Sequence, residues 1–390
     1  MRTPSVRAAA CLMALAALAI AAPAALAGPT SSTTAIVSLG DSYISGEAGR
    51  WQGNSTDYVD RDGTDRACVS LKWWGGCNFD YNKVYIEGTY SNGCHRSDVA
   101  DIRSAGISVN NKVNLACSGA VTRNIWRASQ GGTSRNGESP QADRLLTVAQ
   151  QQNVKLVVLS IGGNDLGFSD IIIDCTSDWS TSSASNPDYC QPENQAMVNQ
   201  RMPQAMTDVR KSIDEIRAVM TQAGYSTSQY RLVLRSYPSP IPRAAENRYP
   251  ETGWSRLDDG GCPFWNSDSN WARDSLTDQI ADNLKSVAAA KGVQFLDMRD
   301  ALQGKEVCSK TTSHVTGSSG PNSATKEWVR WLNSGCCSGD AQESLHPNAW
   351  GQQAAGRCIA LVYAKASNTN WTCRNTAGQG VTGAYISQIP

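Results

Sequence analysis

Four residues of types that can act together in nucleophilic catalysis lie at separated points of the chain. Ser42 and Asn164 each follow an apolar run, Gly119 lies in a turn of small residues, and His346 lies near the C-terminus. A serine hydroxyl becomes a nucleophile when a neighbouring base takes its proton, and imidazole titrates near neutral pH. Amide N–H groups can then hold the oxyanion that forms on an attacked carbonyl. In this order, these residue types are the ones that a serine acyl hydrolase requires.

Each of the four residues has a predicted role. We expect Ser42 to be the nucleophile and His346 to be the general base. The oxyanion would be held by the main-chain amides of Ser42 and Gly119 and by the side-chain amide of Asn164. Glycine suits its position because it lets a substrate approach the backbone closely. A further histidine, His95, is predicted to be structural.

The N-terminus is predicted to be a secretory signal peptide, residues 1–27. Arg2 and Arg7 precede the apolar run 8–22, and small residues at 25–27 suit cleavage. The run is short for a membrane span, and no second apolar stretch follows it. We therefore expect a secreted chain without stable membrane insertion, whose residues 28–390 form a single domain and act as a monomer.

Composition and charge exclude other classes of protein. The chain has 35 basic and 35 acidic residues and a formal net charge of zero, with no basic stripe. Nucleic acid is therefore not an expected partner. With three histidines and no paired C-x-x-C spacing, no metal site is predicted, and nothing in the sequence requires a cofactor.

The pattern of apolar residues predicts an α/β fold. Strands are predicted at 35–39, 154–161, 231–237 and 293–297, and helices at 195–223 (interrupted at Pro203), 272–291 and 347–365. Alternating strands and helices favour a parallel sheet that is covered on both faces. Reactive groups gather at the carboxyl ends of such strands, which is where Ser42 and Asn164 lie.

The motifs resemble those of the SGNH/GDSL hydrolases, in particular secreted bacterial esterases and lipases. Four blocks match in chain order: Gly40-Asp41-Ser42-Tyr43, Ala116-Cys117-Ser118-Gly119-Ala120, Gly162-Gly163-Asn164-Asp165 and His346-Pro347. Tyrosine replaces the leucine of the family name. The resemblance implies a three-layer, flavodoxin-like fold with a central parallel sheet, here with disulfide-held loop insertions. It also implies hydrolysis of carboxylic esters through an acyl-enzyme.

The chain departs from the family at the third catalytic position. The family usually has an aspartate three residues before the histidine, and this chain has Glu343 there. We predict that the Glu343 carboxylate orients His346. The alternative is a backbone carbonyl, as in some secreted relatives, and Asp340 is a weaker candidate.

The cysteines predict a disulfide framework. The chain has 13 cysteines, and an even number remains once Cys11 is removed with the signal peptide. The family resemblance implies one pair and short loops suggest three more: Cys94–Cys117, Cys68–Cys77, Cys175–Cys190 and Cys358–Cys373. Adjacent cysteines rarely bridge each other. We therefore expect Cys336 and Cys337 each to pair with Cys262 or Cys308.

These features together predict a secreted serine esterase or lipase that acts on lipid or other small acyl esters. Two alternatives remain open: a carbohydrate deacetylase of the acetylxylan type, and a non-catalytic carbohydrate-binding protein that uses surface tryptophans. The insertion 49–93 carries Trp51, Trp73 and Trp74. We expect these tryptophans to pack a disulfide-held loop, and the alternatives are that the insertion shapes an acyl pocket or covers the site.

Overall fold

The computed structural model describes residues 28–56, 64–333 and 339–389. The predicted signal peptide lies outside these ranges, and so do Cys336 and Cys337. Within the described ranges, no helix has the length and apolar character needed to cross a membrane.

The described residues form nine β-strands, which we number β1 to β9 in chain order. Their bounds are Thr34–Gly40, Cys68–Leu71, Cys77–Phe79, Asn111–Asn114, Asn153–Ser160, Arg231–Arg235, Gln294–Asp297, Trp371–Asn375 and Ala384–Gln388. Seven of them make one sheet in the order β4-β1-β5-β6-β7-β8-β9. All neighbours in it are parallel except β8 and β9, while β2 and β3 form a separate antiparallel hairpin.

The described residues also form nine α-helices, α1 to α9. Their bounds are Ser42–Ser45, Asp101–Ser104, Gln141–Gln151, Phe168–Thr181, Gln191–Gln222, Ser255–Asp258, Asn266–Trp271, Thr277–Lys291 and Ala349–Tyr363. Helices α3, α5 and α8 pack in one group, and α2 and α9 pack in another. Helices on two sides of a mostly parallel sheet give the predicted α/β, three-layer architecture.

The centre of the sheet shows why the chain folds this way. Strand β5 is a nearly continuous apolar run, and its residues 156–159 are fully buried, as a strand covered on both faces requires. Its neighbour β1 is equally buried, and the two strands end together, with Gly40 opposite Ser160. A Cβ atom at Gly40 would lie 1.9 Å from the Ser160 carbonyl oxygen, so only glycine fits this close approach.

Two of the three predicted helices differ from the sequence prediction, and helices α3 and α4 were not predicted. Helix α5 runs through Pro203 without a break, because Val198, Met202 and Met206 keep the helix packed on the core on both sides of the proline. The helix predicted at 272–291 begins instead with a π-helical turn, Ala272–Leu276, which joins α7 to α8.

Within the described ranges, five disulfides hold the loops: Cys68–Cys77, Cys94–Cys117, Cys175–Cys190, Cys262–Cys308 and Cys358–Cys373. Four of them are the pairs expected from the sequence. The expectation that Cys336 and Cys337 pair with Cys262 or Cys308 is wrong, because Cys262 and Cys308 bridge each other. The loop before Cys262 folds directly onto Cys308, which brings the two Cα atoms within 6.4 Å.

Candidate active site

Ser42 begins the short helix α1 immediately after β1. Asp41 caps this helix, since its carboxylate accepts a hydrogen bond from the Tyr43 amide at 3.1 Å. Gly40 lets the chain turn sharply between strand and helix, with φ at 145°. The serine side chain is therefore held at the carboxyl end of the sheet, where it is 6% exposed.

His346 lies in the loop that leads into α9, 304 residues after Ser42 in the chain. Its Nε2 atom lies 2.7 Å from Ser42 Oγ, and its Nδ1 atom lies 2.9 Å from the Ser344 carbonyl oxygen. The loop is pinned on both sides, because the Arg330 amide donates to the His346 carbonyl and the Asn333 amide donates to the Ser344 hydroxyl.

These two contacts identify the tautomer of the neutral imidazole. A carbonyl oxygen can only accept a hydrogen bond, so Nδ1 carries the proton that it donates to Ser344. The lone pair on Nε2 then faces the Ser42 hydroxyl. Burial lowers the pKa of His346 below its usual value, so the neutral ring that can accept a proton is the favoured form.

The prediction that Glu343 orients His346 is wrong. The Glu343 carboxylate instead accepts hydrogen bonds from Trp51 Nε1 at 2.8 Å and from the Tyr85 hydroxyl at 2.6 Å. Arg50 lies 3.7 Å from the same carboxylate. These partners come from the insertion 49–93, and they draw the carboxylate away from the imidazole. Asp340 caps the turn before Glu343 and does not contact His346 either.

Asn164 is positioned at the end of β5 by the neighbouring small-residue turn. Its side-chain amide donates one hydrogen bond to the Ala120 carbonyl oxygen at 2.9 Å. The next residue, Asp165, accepts from the hydroxyl and the amide of Thr122. These bonds join the second and third sequence blocks side by side, and among the described residues the second N–H of the Asn164 amide donates no hydrogen bond.

Two backbone amides at the site, one of them that of Ser42 itself, have no acceptor in the described part of the chain. Among the described residues, the N–H groups of Ser42 and Gly119 donate no hydrogen bond, whereas the amides that flank Gly119 donate to the carbonyls of Cys94 and Cys117. Gly119 has a φ of 70°, which favours glycine. Unpaired donors beside a serine hydroxyl are suited to bind an oxyanion.

Tyr237 and Asp41 support the site, and our sequence analysis gave neither of them a role. The Tyr237 hydroxyl donates to the Asp41 carboxylate and accepts from the Gly163 amide at 3.2 Å, so it ties the first block to the third. Burial raises the pKa of Asp41 to about 7. Tyr237 follows β6, the strand beside β5, and its place at that strand end was the signal in the sequence.

An apolar cavity opens from Ser42 and Asn164. It runs between α4, the loop after β6 and the start of α8. Its apolar lining includes Phe168, Ile171, Ile172, Ile241, Phe264, Trp271, Leu276 and Ile280. A hydrocarbon chain attached to a carbonyl at Ser42 would be removed from water there.

His95 forms a different kind of pair close to the site. Its Nδ1 atom lies 2.6 Å from Glu47 Oε1, and both side chains are buried. Burial alone would lower the pKa of His95, but the hydrogen bond and charge of Glu47 raise it above the usual value. In the ranges that the structure covers, no three His, Cys, Asp or Glu side chains are grouped so that they could hold a metal ion.

Comparison with known proteins places the sequence in a family. The sequence profile of the GDSL-like Lipase/Acylhydrolase family matches residues 87–354, which include Gly119, Asn164 and His346 but not Ser42. An esterase of Streptomyces scabiei is 22% identical over 220 residues. The match covers 54% of this chain and 61% of that protein, so the chain spans about three fifths of the length of this relative.

Two solved structures are similar in part. The extracellular lipase of Streptomyces rimosus is 19% identical, with a TM-score of 0.43, over 82% of this chain and 95% of that one. Phospholipase A1 of Streptomyces albidoflavus NA297 is 20% identical, with a TM-score of 0.42, over the same two shares. The family profile covers more than half of the sequence, and the chain belongs to the GDSL-like lipase/acylhydrolase family.

Proposed function

We propose that this protein hydrolyses carboxylic esters through an acyl-enzyme on Ser42. The observation that carries the proposal is the pair of contacts made by His346. Its Nε2 lies 2.7 Å from the Ser42 hydroxyl while its Nδ1 donates to the Ser344 carbonyl. This is the arrangement that a general base needs in order to remove the serine proton.

Acylation begins with attack on the ester carbonyl. As the Ser42 Oγ–carbon bond forms, the hydroxyl proton moves to His346 Nε2, and the carbonyl oxygen becomes an oxyanion. When the tetrahedral intermediate collapses, the bond to the leaving oxygen breaks, and His346 returns the proton to that oxygen. An alcohol leaves, and the acyl group stays on Ser42.

Deacylation repeats these steps with water. His346 takes a proton from the water as its oxygen attacks the acyl carbonyl, and then gives that proton to Ser42 Oγ as the acyl–serine bond breaks. The product is the free acid. In both halves the oxyanion would be bound by the amides of Ser42 and Gly119, which donate no hydrogen bond within the described residues, and by the second N–H of the Asn164 side chain.

The cavity supports an apolar acyl group as the preferred substrate. Its lining between α4 and α8 is almost entirely apolar, so each methylene that enters gains roughly 0.8 kcal/mol from leaving water. Acetyl groups are too short to use this surface. We therefore infer lipid or other long-chain esters as substrates, acted on outside the cell. Five disulfides are in keeping with an oxidising compartment.

A series of nitrophenyl esters from acetate to dodecanoate tests this proposal, measured beside acetylated xylan and a phospholipid. We expect kcat/KM to rise with chain length and to be abolished in Ser42→Ala. A fluorophosphonate should form its adduct on Ser42. Labelling of another serine would contradict the nucleophile, and a preference for acetylated xylan would make the protein a carbohydrate deacetylase.

A pair of variants on helix α4 tests the acyl pocket separately. Ile172 lines the cavity, whereas Ile173 points away and is 65% exposed. Ile172→Trp should lower activity on the dodecanoate ester by roughly tenfold or more and leave the acetate ester nearly unchanged. Ile173→Trp is the matched control and should leave both unchanged. Equal losses on both esters in Ile172→Trp would contradict the pocket.

A further inference from the structure

The hairpin of β2 and β3 exposes an unusual concentration of apolar side chains. Nine large apolar side chains are exposed among the described residues, and five of them lie between residues 68 and 79. These five are Val69, Leu71, Trp73, Trp74 and Phe79. Trp73 at the tip is 91% exposed and Trp74 is 67% exposed. A concentrated apolar surface of this kind marks a site of interaction.

We propose that this hairpin is an interfacial anchor, which inserts Trp73 and Trp74 into the surface of a lipid aggregate that carries anionic head groups. Indole is large and apolar but has one polar N–H, and it therefore favours the boundary between hydrocarbon and water. Neither indole N–H has an acceptor in the described part of the chain, so both can bond to head groups or interfacial water.

The charge of the hairpin fits an anionic surface. Between Cys68 and Phe79 the only charged side chain is Lys72, which directly precedes the two tryptophans. In the described ranges Lys72 has no carboxylate within ion-pair distance. A cation beside inserted aromatic rings is attracted by acidic lipid head groups, and no acidic residue of the segment opposes this attraction.

The geometry of the two rings favours lipid over polysaccharide. The ring planes of Trp73 and Trp74 stand at 87° to each other, with their centroids 5.2 Å apart. A sugar chain stacks on aromatic faces that lie along a common surface, and these two faces do not. The neighbouring exposed side chain, Leu71, adds hydrocarbon rather than hydrogen-bonding groups.

The hairpin is cross-linked, and a chain of contacts connects it to the turn that carries Gly119. The Cys68–Cys77 disulfide closes it near its base. A row of stacked rings then runs from Phe79 through Tyr81 and Tyr90 to His95. His95 follows Cys94, which is bridged to Cys117 in the turn of Gly119. An anchor at this position would hold the site beside the interface that supplies its substrate.

The value of the anchor for catalysis rests on the proposed function, but its binding to lipid does not require hydrolysis. Binding is therefore measured in a Ser42→Ala background, which leaves the lipid intact. The probe is sedimentation with phosphatidylcholine vesicles that contain roughly 30 mol% phosphatidylglycerol. Trp73→Ala with Trp74→Ala should lower the partition coefficient by roughly tenfold or more.

Trp254→Ala is the matched control, because Trp254 is also an exposed tryptophan, at 60%, but lies outside the hairpin. It should bind vesicles like the parent protein. Lys72→Glu should weaken binding to the anionic vesicles while hardly changing binding to pure phosphatidylcholine. With Ser42 restored, the double tryptophan variant should hydrolyse soluble nitrophenyl acetate at the parent rate, which shows that its fold and site are intact.

Three results would overturn the anchor. They are vesicle binding by the double variant equal to that of the parent, an equal loss of binding in Trp254→Ala, and retention of the parent protein on insoluble xylan but not on vesicles. Absence of ester hydrolysis in the parent protein would instead contradict the proposed function, and it would leave the vesicle result to be judged independently.

Discussion

His346 and His95 are both buried, but Nδ1 of His346 faces a neutral carbonyl and Nδ1 of His95 faces a carboxylate. His346 donates to the backbone carbonyl of Ser344 at 2.9 Å, whereas His95 lies 2.6 Å from the carboxylate of Glu47. Burial lowers the pKa of His346. The same burial acts on His95, but the hydrogen bond and charge of Glu47 raise its pKa instead.

The difference shows what each histidine can do. The Glu47 carboxylate raises the pKa of His95 and so favours its protonated ring, which has no free lone pair with which to accept a proton. The Ser344 carbonyl orients the ring of His346, and burial favours the neutral form of that ring. His346 is therefore the ring suited to act as a base, and His95 is suited to bind an anionic partner in a buried structural pair. A carboxylate beside the general base is not needed to fix its tautomer here.

The strongest way to break this comparison is to remove each ring in turn. We expect His346→Ala to lower kcat by roughly 10³-fold or more, because Ser42 then has no base. His95→Asn should keep kcat within roughly tenfold of wild type and lower Tm. Ester assays and thermal melts of both variants check this. Comparable losses of kcat would contradict the separate roles.

The second largest loss of activity is expected when an oxyanion donor is removed. Asn164→Ala should lower kcat by roughly 10²–10³-fold with little change in KM, because the lost hydrogen bond strengthens only as charge develops. Steady-state kinetics together with a thermal melt measure both effects. A lower Tm with near-normal kcat would mean that the bond from Asn164 to Ala120 has only a structural role.

The pH profile gives a smaller effect. The base must be neutral, and the pKa of His346 is lowered, so kcat/KM should fall on the acid side only below about pH 6.5. Above that pH the His346 ring stays neutral and active. A fall in kcat/KM that begins above pH 6.5 would contradict the assignment to His346. The exception is a fall that disappears in Asp41→Asn, since the pKa of Asp41 is raised to about 7.

Glu47→Gln tests the other half of the comparison, namely that Glu47 raises the pKa of His95. Removing the carboxylate should lower the pKa of His95 in an NMR titration and leave kcat within about threefold of wild type. The pKa of His95 is higher in the folded state than in the unfolded state. The pair therefore stabilises the fold most below about pH 6.5, and this stabilisation fades as the pH rises through the folded pKa. A Tm difference that grew with pH would contradict this sign.

The sequence predicted the parts of the site that strand topology brings together. Ser42 and Asn164 follow β1 and β5, which are neighbours in a parallel sheet. Both strands could be predicted because each is a run of apolar residues. The block of Gly119 follows β4, on the other side of β1. Local pattern is sufficient in these cases because the carboxyl ends of neighbouring parallel strands meet at one edge.

The remaining features depend on contacts between distant segments. The orientation of Glu343 is decided by Trp51 and Tyr85, which lie in an insertion with no regular apolar period. Spacing to the histidine carries no information about these partners. In the same way, the Cys262–Cys308 bridge follows from how one loop folds onto another over a sequence separation of 46 residues.

The central claim is that a carbonyl, and not a carboxylate, orients His346, and Glu343→Gln tests it most directly. We expect kcat within about threefold of wild type, since the Ser344 main chain is unchanged. We also expect Tm to fall by about 2–4 °C, since the buried charge opposite Arg50 is lost. A fall in kcat of roughly 10²–10⁴-fold at unchanged Tm would show that the carboxylate orients the base, and would contradict the account.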